Sequence, residues 1–415
     1  MQKKVLAAAI GAALLIPGAV FAKGGAEADS VVELYGKVYP ELVFPSSAGN
    51  ATPASAATGT NDPNYCTLCA RPTGENSVEK RTEMQSNNSR FGVRGSEKVG
   101  ADLRAIFQLE TQFLLDQNNT TFAARDSFVG LKSKRMGTVK LGRMDTPFKE
   151  YGDDISFMGV SSGNITSTSS VNRIMGFGPG SSAGRFHERR VNAIQYESPE
   201  IGPAEFKVQW STNEAKTDVP PRRDPHVLSM GGKLDFGFVE LMGGYEIHWD
   251  LFGLSANSPS SMRNTSDVNT RSKDTAAEVA VKFKFGRHLL EFDANRMKYD
   301  EPGSLVTGHV ASYKQNHYLV IWEARWSKQW RTAAHYVKAT AGSCTRVNAI
   351  CVTNGAGGQQ YALGVSYNFS PKTYAFLMGT LVKNDFAASF NNSDNEDVSP
   401  GEDIRQIALG LHHAW

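Results

Sequence analysis

The chain has 415 residues, with 44 Lys and Arg against 42 Asp and Glu, and 40% of its residues are apolar. This composition excludes a disordered or collagen-like chain, and the balance of charge argues against a nucleic-acid binder, whose affinity needs an excess of cations. A mean hydropathy of −0.35, with no run of about 20 apolar residues after the N-terminus, excludes a protein built from several membrane-spanning helices. It does not exclude a membrane barrel, whose strands alternate apolar and polar residues.

Residues 1–22 have the pattern of a secretory signal peptide. Lys3 and Lys4 precede a short apolar stretch that ends before Pro17, and small residues close the segment at Ala22. The apolar stretch is too short to span a bilayer comfortably, and its end matches a cleavage site. We therefore expect removal of residues 1–22 on export and a folded part over 23–415.

From Val32 onward, apolar and polar residues alternate with a period of two. This period predicts strands with one apolar and one wet face, whereas an amphipathic helix repeats near 3.6. The same alternation returns around Val208, Leu241, Val281 and Val365. Between the turn signals, sixteen such segments can be counted.

The connections between these segments alternate in length. Short turns lie near 98–101, 134–137, 199–203, 236–238, 286–287, 327–329 and 370–372, and long polar loops cover about 45–80, 116–121, 147–186, 213–225, 250–271, 300–313, 342–356 and 386–401. An even strand number with short turns at one end and long loops at the other is the plan of an outer-membrane barrel, with the loops extracellular. The soluble alternative, two β-sandwiches in tandem, would not need long and short connections to alternate.

The four cysteines form two close pairs in long loops, Cys66 with Cys69 and Cys344 with Cys351. In an exported chain we expect both pairs to form local disulfides. Ala70 follows the first pair where covalent haem attachment would need His, and a zinc site would require the two loops to converge.

Several segments together resemble the general porins of beta-proteobacteria. They are RFGVRGSEKVG from Arg90, RAIFQLET from Arg104, FVGLKS from Phe128, RRVNAIQYESPEIG from Arg189, YALGVSYNFSPKT from Tyr361 and the ending IALGLHHAW. The resemblance runs in order from about Val31 to Trp415. It implies a homotrimer of sixteen-stranded antiparallel transmembrane β-barrels in the bacterial outer membrane, in contact with lipid and lipopolysaccharide, with the loop after the fifth strand folded into the lumen.

Three features depart from that family. The terminal residue is Trp415 where Phe is usual, cysteines occur in two loops, and the expected constriction loop, 147–186, is rich in Gly and Ser from Gly159 to Gly184. Its fold therefore cannot be transferred from relatives.

No catalytic motif is present, since the chain lacks GxSxG, HExxH, a P-loop and a dinucleotide fingerprint. We expect no enzyme activity, no cofactor and no metal. The paired histidines His412 and His413 lie on opposite faces of the last strand by alternation.

The informative residues are charges on the wet phase near the expected constriction. Strand phase places four arginines and one carboxylate on the lumen side, and the 147–186 loop supplies three acids; the set is Arg90, Arg94, Arg104, Arg189, Glu110, Glu150, Asp153 and Asp154. Arginines on one wall facing carboxylates on an inserted loop would create a transverse field across the pore. The alternative is that these charges only wet the lumen.

Two functions remain open. One is a passive diffusion channel for small hydrophilic solutes and inorganic ions, with a mild anion preference because Arg outnumbers acids at the narrowing. The other is a substrate-specific outer-membrane channel or the barrel partner of an outer-membrane complex, which the long cysteine-bearing loops favour slightly.

Overall fold

The backbone forms a closed antiparallel sheet in which the last strand pairs with the first. The computed structural model describes residues 30–49, 64–71, 78–86, 88–116, 120–152, 157–158, 166–177, 184–212, 214–391 and 398–415. The signal peptide expected over residues 1–22 lies outside the described residues.

Twenty strand segments make up the sheet. They are β1 Ser30–Val38, β2 Glu41–Ala48, β3 Glu83–Gln85, β4 Arg90–Lys98, β5 Leu103–Phe113, β6 Thr120–Thr121, β7 Ser127–Ser133, β8 Gly137–Asp145, β9 Arg189–Glu197, β10 Ala204–Thr212, β11 His226–Asp235, β12 Val239–Trp249, β13 Lys273–Phe285, β14 His288–Asp300, β15 Val310–Arg325, β16 Trp330–Ala339, β17 Ser343–Arg346, β18 Gly358–Ser370, β19 Thr373–Asn384 and β20 Asp403–Ala414.

These segments form sixteen barrel strands, because four strands are each interrupted once. Strands β1 and β2 both pair with β20, and β3 and β4 pair with β2 and β1 in turn. Strands β6 and β7 share β5, and β16 and β17 share β15. The predicted sixteen-stranded antiparallel barrel is confirmed. Short helical segments cover Pro147–Glu150, Gly253–Asn257, Thr168–Ser170 and Ser260–Met262.

The faces of the sheet are inverted relative to a soluble protein. On β13, Val279 exposes 63% of its surface on the outside, whereas the neighbouring Glu278 exposes 3% on the inside. Leu363 on β18 is likewise exposed at 64%. A belt of exposed apolar side chains around a polar interior is the arrangement that lipid outside and water inside require. No helix of the described residues is long and apolar enough to cross a membrane.

The terminal Trp415 completes the closure between β20 and β1. Its backbone N donates to the carbonyl O of Gly36 over 3.1 Å, and its indole ring covers Gly36 so closely that a Cβ there would clash with it. The aromatic ending therefore packs on the closing seam.

We predict that a charge on the lipid face destabilises the barrel far more than one in the lumen. Val279→Arg places a guanidinium in the middle of the β13 lipid face and should cost about 2–4 kcal/mol. Gln108→Arg adds the same charge to the wet wall beside Arg94 and should cost less than about 1 kcal/mol, the size of a like-charge pair across two strands. Chemical unfolding in lipid vesicles measures both, and equal costs would contradict the assigned phase.

Candidate pore and constriction

The chain leaves β8 and turns into the barrel at Thr146. The Thr146 hydroxyl oxygen accepts from the backbone N of Lys149 over 3.3 Å and caps the short helix Pro147–Glu150. One step on, the backbone N of Phe148 donates to Ser229 Oγ over 3.0 Å. The constriction loop, residues 147–186, therefore starts by docking on the inner face of β11.

The described parts of the constriction loop then follow the inner wall formed by the later strands. The backbone N of Phe157 donates to Glu323 Oε2 on β15 over 3.2 Å, and Asn295 Nδ2 on β14 donates to Asn172 Oδ1 over 2.6 Å. On β18, Gln360 Nε2 donates to the carbonyl O of Ser167 over 3.1 Å. The described parts of the loop thus line the lumen side of the later strands.

Arg173 anchors this loop to the wall. Its side chain is completely buried, with Nε donating to Glu278 Oε2 over 2.7 Å and Nη2 donating to Asp293 Oδ2 over 3.0 Å. Nη2 also donates to the carbonyl O of Gly152 across the loop. The backbone at Arg173 has a φ of 63°, an uncommon conformation that these contacts hold in place.

His187 lies against the same guanidinium, with its Nδ1 3.4 Å from Arg173 Nη1. Burial, and then the cations Lys149 and Arg173, lower the pKa of His187 well below its usual value. The imidazole is therefore neutral, which suits a ring packed beside a buried arginine.

On the opposite wall, arginines and carboxylates form ion pairs, and the cations outnumber the carboxylates. Glu110 on β5 receives Arg90 Nη1 at 3.4 Å, a short contact from Arg125 Nε and the Tyr35 hydroxyl at 3.0 Å. Four residues after Arg90 on β4, Arg94 Nε lies 2.9 Å from Glu33 Oε2. Both side chains are half-exposed to the lumen. The Arg90–Glu110 and Arg94–Glu33 contacts join strands that the register places side by side.

Arg189 extends this wall at the start of β9. Its guanidinium contacts Asp126 and lies 2.8 Å from Asp145 Oδ1, a carboxylate that also pairs with Lys149 at 2.9 Å. Lys37 and Arg143 add two more cations, and neither makes an ion pair with a carboxylate among the described residues. The Nε of Arg143 is buried without a hydrogen-bond partner there.

Two other predicted residues, Glu150 and Arg104, lie away from the carboxylate of Glu110. Glu150 contacts Lys207 on β10, with Nζ 2.5 Å from Oε2, so it meets a lysine instead of the arginine wall. Burial raises the pKa of Glu150 despite Lys207, which lowers it. Arg104 lies near the short turn after β4, donating to Ser96 Oγ over 3.0 Å. Asp153 and Asp154 lie outside the described residues.

Sequence reasoning missed several contributors to the site. Tyr35 and Lys37 share the wet phase of β1 with Glu33, so alternation alone could have found them. Arg125 and Asp126 come from the loop before β7, and no periodic signal marks them.

The two cysteine-bearing loops meet above the constriction. The structure joins Cys66 to Cys69 and Cys344 to Cys351, as predicted. The backbone N of Thr67 donates to the carbonyl O of Val352 over 2.8 Å, and the backbone N of Val352 donates back to Thr67 Oγ1 over 3.0 Å.

Buried apolar side chains continue this contact down to the constriction loop. Tyr65, Leu68 and both cysteines of the first loop belong to one cluster with Phe177 of the constriction loop and Tyr313 of β15, whose rings are 4.8 Å apart. We call residues 64–71, which dock on this cluster, the roof. It covers the loop-lined side of the mouth and ties the first loop to the constriction loop.

Among the residues that the structure describes, no group of three or more His, Cys, Asp or Glu side chains is arranged to hold a metal ion. The polar interior instead consists of ion pairs and hydrogen bonds between neighbouring strands. Such an interior favours the passage of hydrophilic solutes past fixed charges.

Comparisons with known proteins agree with this architecture. Residues 9–411 match the sequence model of a family described as Gram-negative porin. The chain is 28% identical over 139 residues to the major outer membrane protein P.IB of Neisseria gonorrhoeae, covering 33% of this chain and 36% of that relative. The chain thus spans about a third of the length of that curated relative.

Solved structures share the fold over nearly the whole chain. An anion-selective porin from Comamonas acidovorans matches with a TM-score of 0.67 and 18% identity, over 93% of this chain and 100% of that one. A trimer form of OmpT, an outer membrane protein of Vibrio cholerae, matches with a TM-score of 0.61 and 15% identity, over 94% of this chain and 100% of that one.

We predict that Arg173 holds the constriction loop by charge pairing. Arg173→Met leaves Glu278 and Asp293 buried without their cation and should destabilise the loop by about 3–5 kcal/mol. The expected result is faster proteolytic cleavage within 147–186 and a noisier single-channel current. Combining Arg173→Met with Glu278→Gln and Asp293→Asn removes the buried charges together and should restore much of the protection. An Arg173→Met loop as protected as the wild type would contradict the assignment.

We also predict that the first disulfide stabilises the roof locally. Cys66→Ala with Cys69→Ala frees a short loop and should cost roughly 2 kcal/mol of local stability, seen as faster hydrogen exchange at residues 64–71 with an unchanged barrel. Cys344→Ala with Cys351→Ala should loosen the docking partner of the roof and raise exchange in both loops. Unchanged exchange at 64–71 in both variants would show that the roof does not depend on the bridges.

Proposed function

The chain belongs to the Gram-negative porin family, and from that premise we propose that it forms a water-filled channel for passive diffusion of small hydrophilic solutes and ions. The outer membrane is its location, since the family and the apolar outer belt of the sixteen-stranded barrel both require that membrane. One observation carries the channel function: the constriction loop docks on the wall of the later strands and leaves the passage beside a separate, charged wall.

The same wall supports a mild anion preference. Arg90, Arg125 and Lys37 surround one carboxylate, Glu110. Arginine stays charged at every working pH, and low-dielectric walls concentrate the field of such charges in a narrow passage. We infer that chloride passes more readily than potassium and that Arg94, Arg104 and Arg189 contribute to this preference. Glu150, Asp153 and Asp154 belong to the constriction loop in sequence.

We propose further that the protein is exported through cleavage after residue 22, folds over 23–415 and assembles as a homotrimer. The trimer form of one structural neighbour supports the last point. Membrane lipid and lipopolysaccharide would surround the trimer, and hydrophilic solutes and inorganic ions would pass through it. A narrower alternative, a substrate-specific channel or the barrel partner of an outer-membrane complex, is favoured by the roof, which covers part of the mouth.

We predict a measurable anion preference that depends on lumen arginines. In a planar bilayer with a KCl gradient, the reversal potential should have the sign for chloride, and the preference should fall at high salt as the Debye length shrinks to a few ångströms, about 3 Å at 1 M. Arg94→Ser with Arg104→Ser should shift the channel toward potassium while assembly stays intact. Lys328→Ser with Lys372→Ser removes two cations at exposed short turns and is the matched control. Potassium preference in the wild type, or equal shifts in the two variants, would contradict the proposal.

A further inference from the structure

Two neighbouring residues of the constriction loop, Phe157 and Met158, insert into the inner wall of the barrel. Both side chains are almost completely buried. The backbone between them and the wall is fixed by the hydrogen bond from Phe157 N to Glu323 Oε2 on β15. We call Phe157 and Met158 the knob. It meets the later strands at a point separate from the ion pairs of Arg173.

A glycine in the wall makes the space that Met158 occupies. Gly364 on β18 stands between Ala333 on β16 and Met378 on β19 in the register of the sheet. A Cβ at Gly364 would lie 3.2 Å from Met158 Cγ and closer still to its Sδ. Because protein interiors are close-packed, a side chain at position 364 and the Met158 side chain cannot share this volume.

An arginine holds the other half of the knob. The guanidinium carbon of Arg331 on β16 lies 5.0 Å from the ring centroid of Phe157 and 5.0 Å from that of Tyr374 on β19. The two rings meet edge to face, with centroids 6.4 Å apart. Arg331 Nε donates to Ser366 Oγ over 3.2 Å, which orients the guanidinium. A cation between two buried rings is a favourable contact that a lysine cannot reproduce with the same planar geometry.

The cluster that seats the knob extends across the closing seam of the barrel. Phe157 and Met158 belong to one buried cluster with Tyr39, which follows β1, and Phe376 on β19. The rings of Tyr39 and Phe376 stack at 4.9 Å. Lys37 Nζ lies 5.5 Å from the same Tyr39 ring. The packed cluster therefore ends beside one of the lumen cations.

The wall behind the knob is a continuous hydrogen-bonded sheet, since β16 pairs with β18 and β18 with β19. A knob that loses its place in the wall can consequently move only toward the lumen. How far the constriction loop projects into the lumen thus depends on the volume free at position 364 and on the contact between Arg331 and Phe157.

We propose that Gly364 and Arg331 are positioning residues for ion passage. The absent side chain of Gly364 seats Met158, and Arg331 holds Phe157, so that the two residues together keep this part of the constriction loop against the wall and the passage wide. This inference rests on the channel function proposed above and adds an attachment of the loop that needs no buried carboxylate.

The first test exchanges volume between the wall and the knob in the full-length mature protein, recorded as single channels in planar bilayers. Gly364→Val puts an isopropyl group where Met158 lies and should push the knob toward the lumen, which lowers conductance and makes the current noisier. Adding Met158→Ala removes a similar volume and should restore wild-type conductance, since volume-conserving exchanges in a core are tolerated best. Gly379→Val on β19 is the matched control, because a Cβ there meets only the carbonyl O of Gln406 at 3.9 Å, and it should conduct as the wild type does.

The second test is a double-mutant cycle between Arg331 and Phe157. Arg331→Lys keeps the positive charge, so the reversal potential should stay unchanged while the current becomes noisier. In a Phe157→Leu background the same exchange should add no further noise, because the ring that the guanidinium contacts is gone. Additive effects of the two substitutions would show that Arg331 does not act through Phe157.

Wild-type conductance in Gly364→Val, or a Gly364→Val/Met158→Ala variant as impaired as Gly364→Val, would overturn the proposal. A Gly364→Val chain that fails to assemble supports it if adding Met158→Ala restores assembly, and contradicts it otherwise. Proteolytic cleavage within 147–186 is measured on the same variants and needs no current. A wild type that forms no channel would refute the proposed function, whereas faster cleavage in Gly364→Val that Met158→Ala reverses would still support the seat of the knob.

Discussion

The shape of this pore depends on one buried arginine. Arg173 sits on the constriction loop between Glu278 and Asp293, two carboxylates of the inner wall that are themselves buried. Burying any one of these three charged groups away from water is unfavourable by itself. Each group is therefore stable only while the other two are present. The loop is consequently fixed at this point to β13 and β14, across the barrel from the arginines of β4.

This asymmetric loop position explains the distribution of charge. Carboxylates on the later strands, such as Glu278, Asp293 and Glu323, bind the loop and are covered by it. On the facing wall, Glu110 is shared by two arginines. The field in the passage therefore follows from where the loop lies as well as from which residues the strands carry.

Sequence reasoning succeeded where a period of two decides the outcome. The inward phase of Arg90, Arg94 and Glu110 and the long and short ends of the barrel all follow from alternation between lipid and water. It did not assign Arg143 to the site, since Arg143 shares the phase of Leu141 in sequence. The register shifts between Gly142 and Met144 against β9, and the Arg143 side chain lies near Arg189 and Asp126. Sequence reasoning failed for Arg173 because its partners are 105 and 120 residues away in a segment without period.

The central claim is that the open side of the lumen is filled with water and lined by a basic wall. Thiol chemistry at Gln108, beside Arg94, tests this claim most directly. The native cysteines are all in disulfides, so Gln108→Cys introduces a unique target for small charged thiol reagents applied during single-channel recording. The account predicts that an anionic sulfonate reagent reacts faster than a cationic ammonium reagent of the same size and lowers chloride current. Faster reaction with the cationic reagent, or no reaction with either, would contradict it.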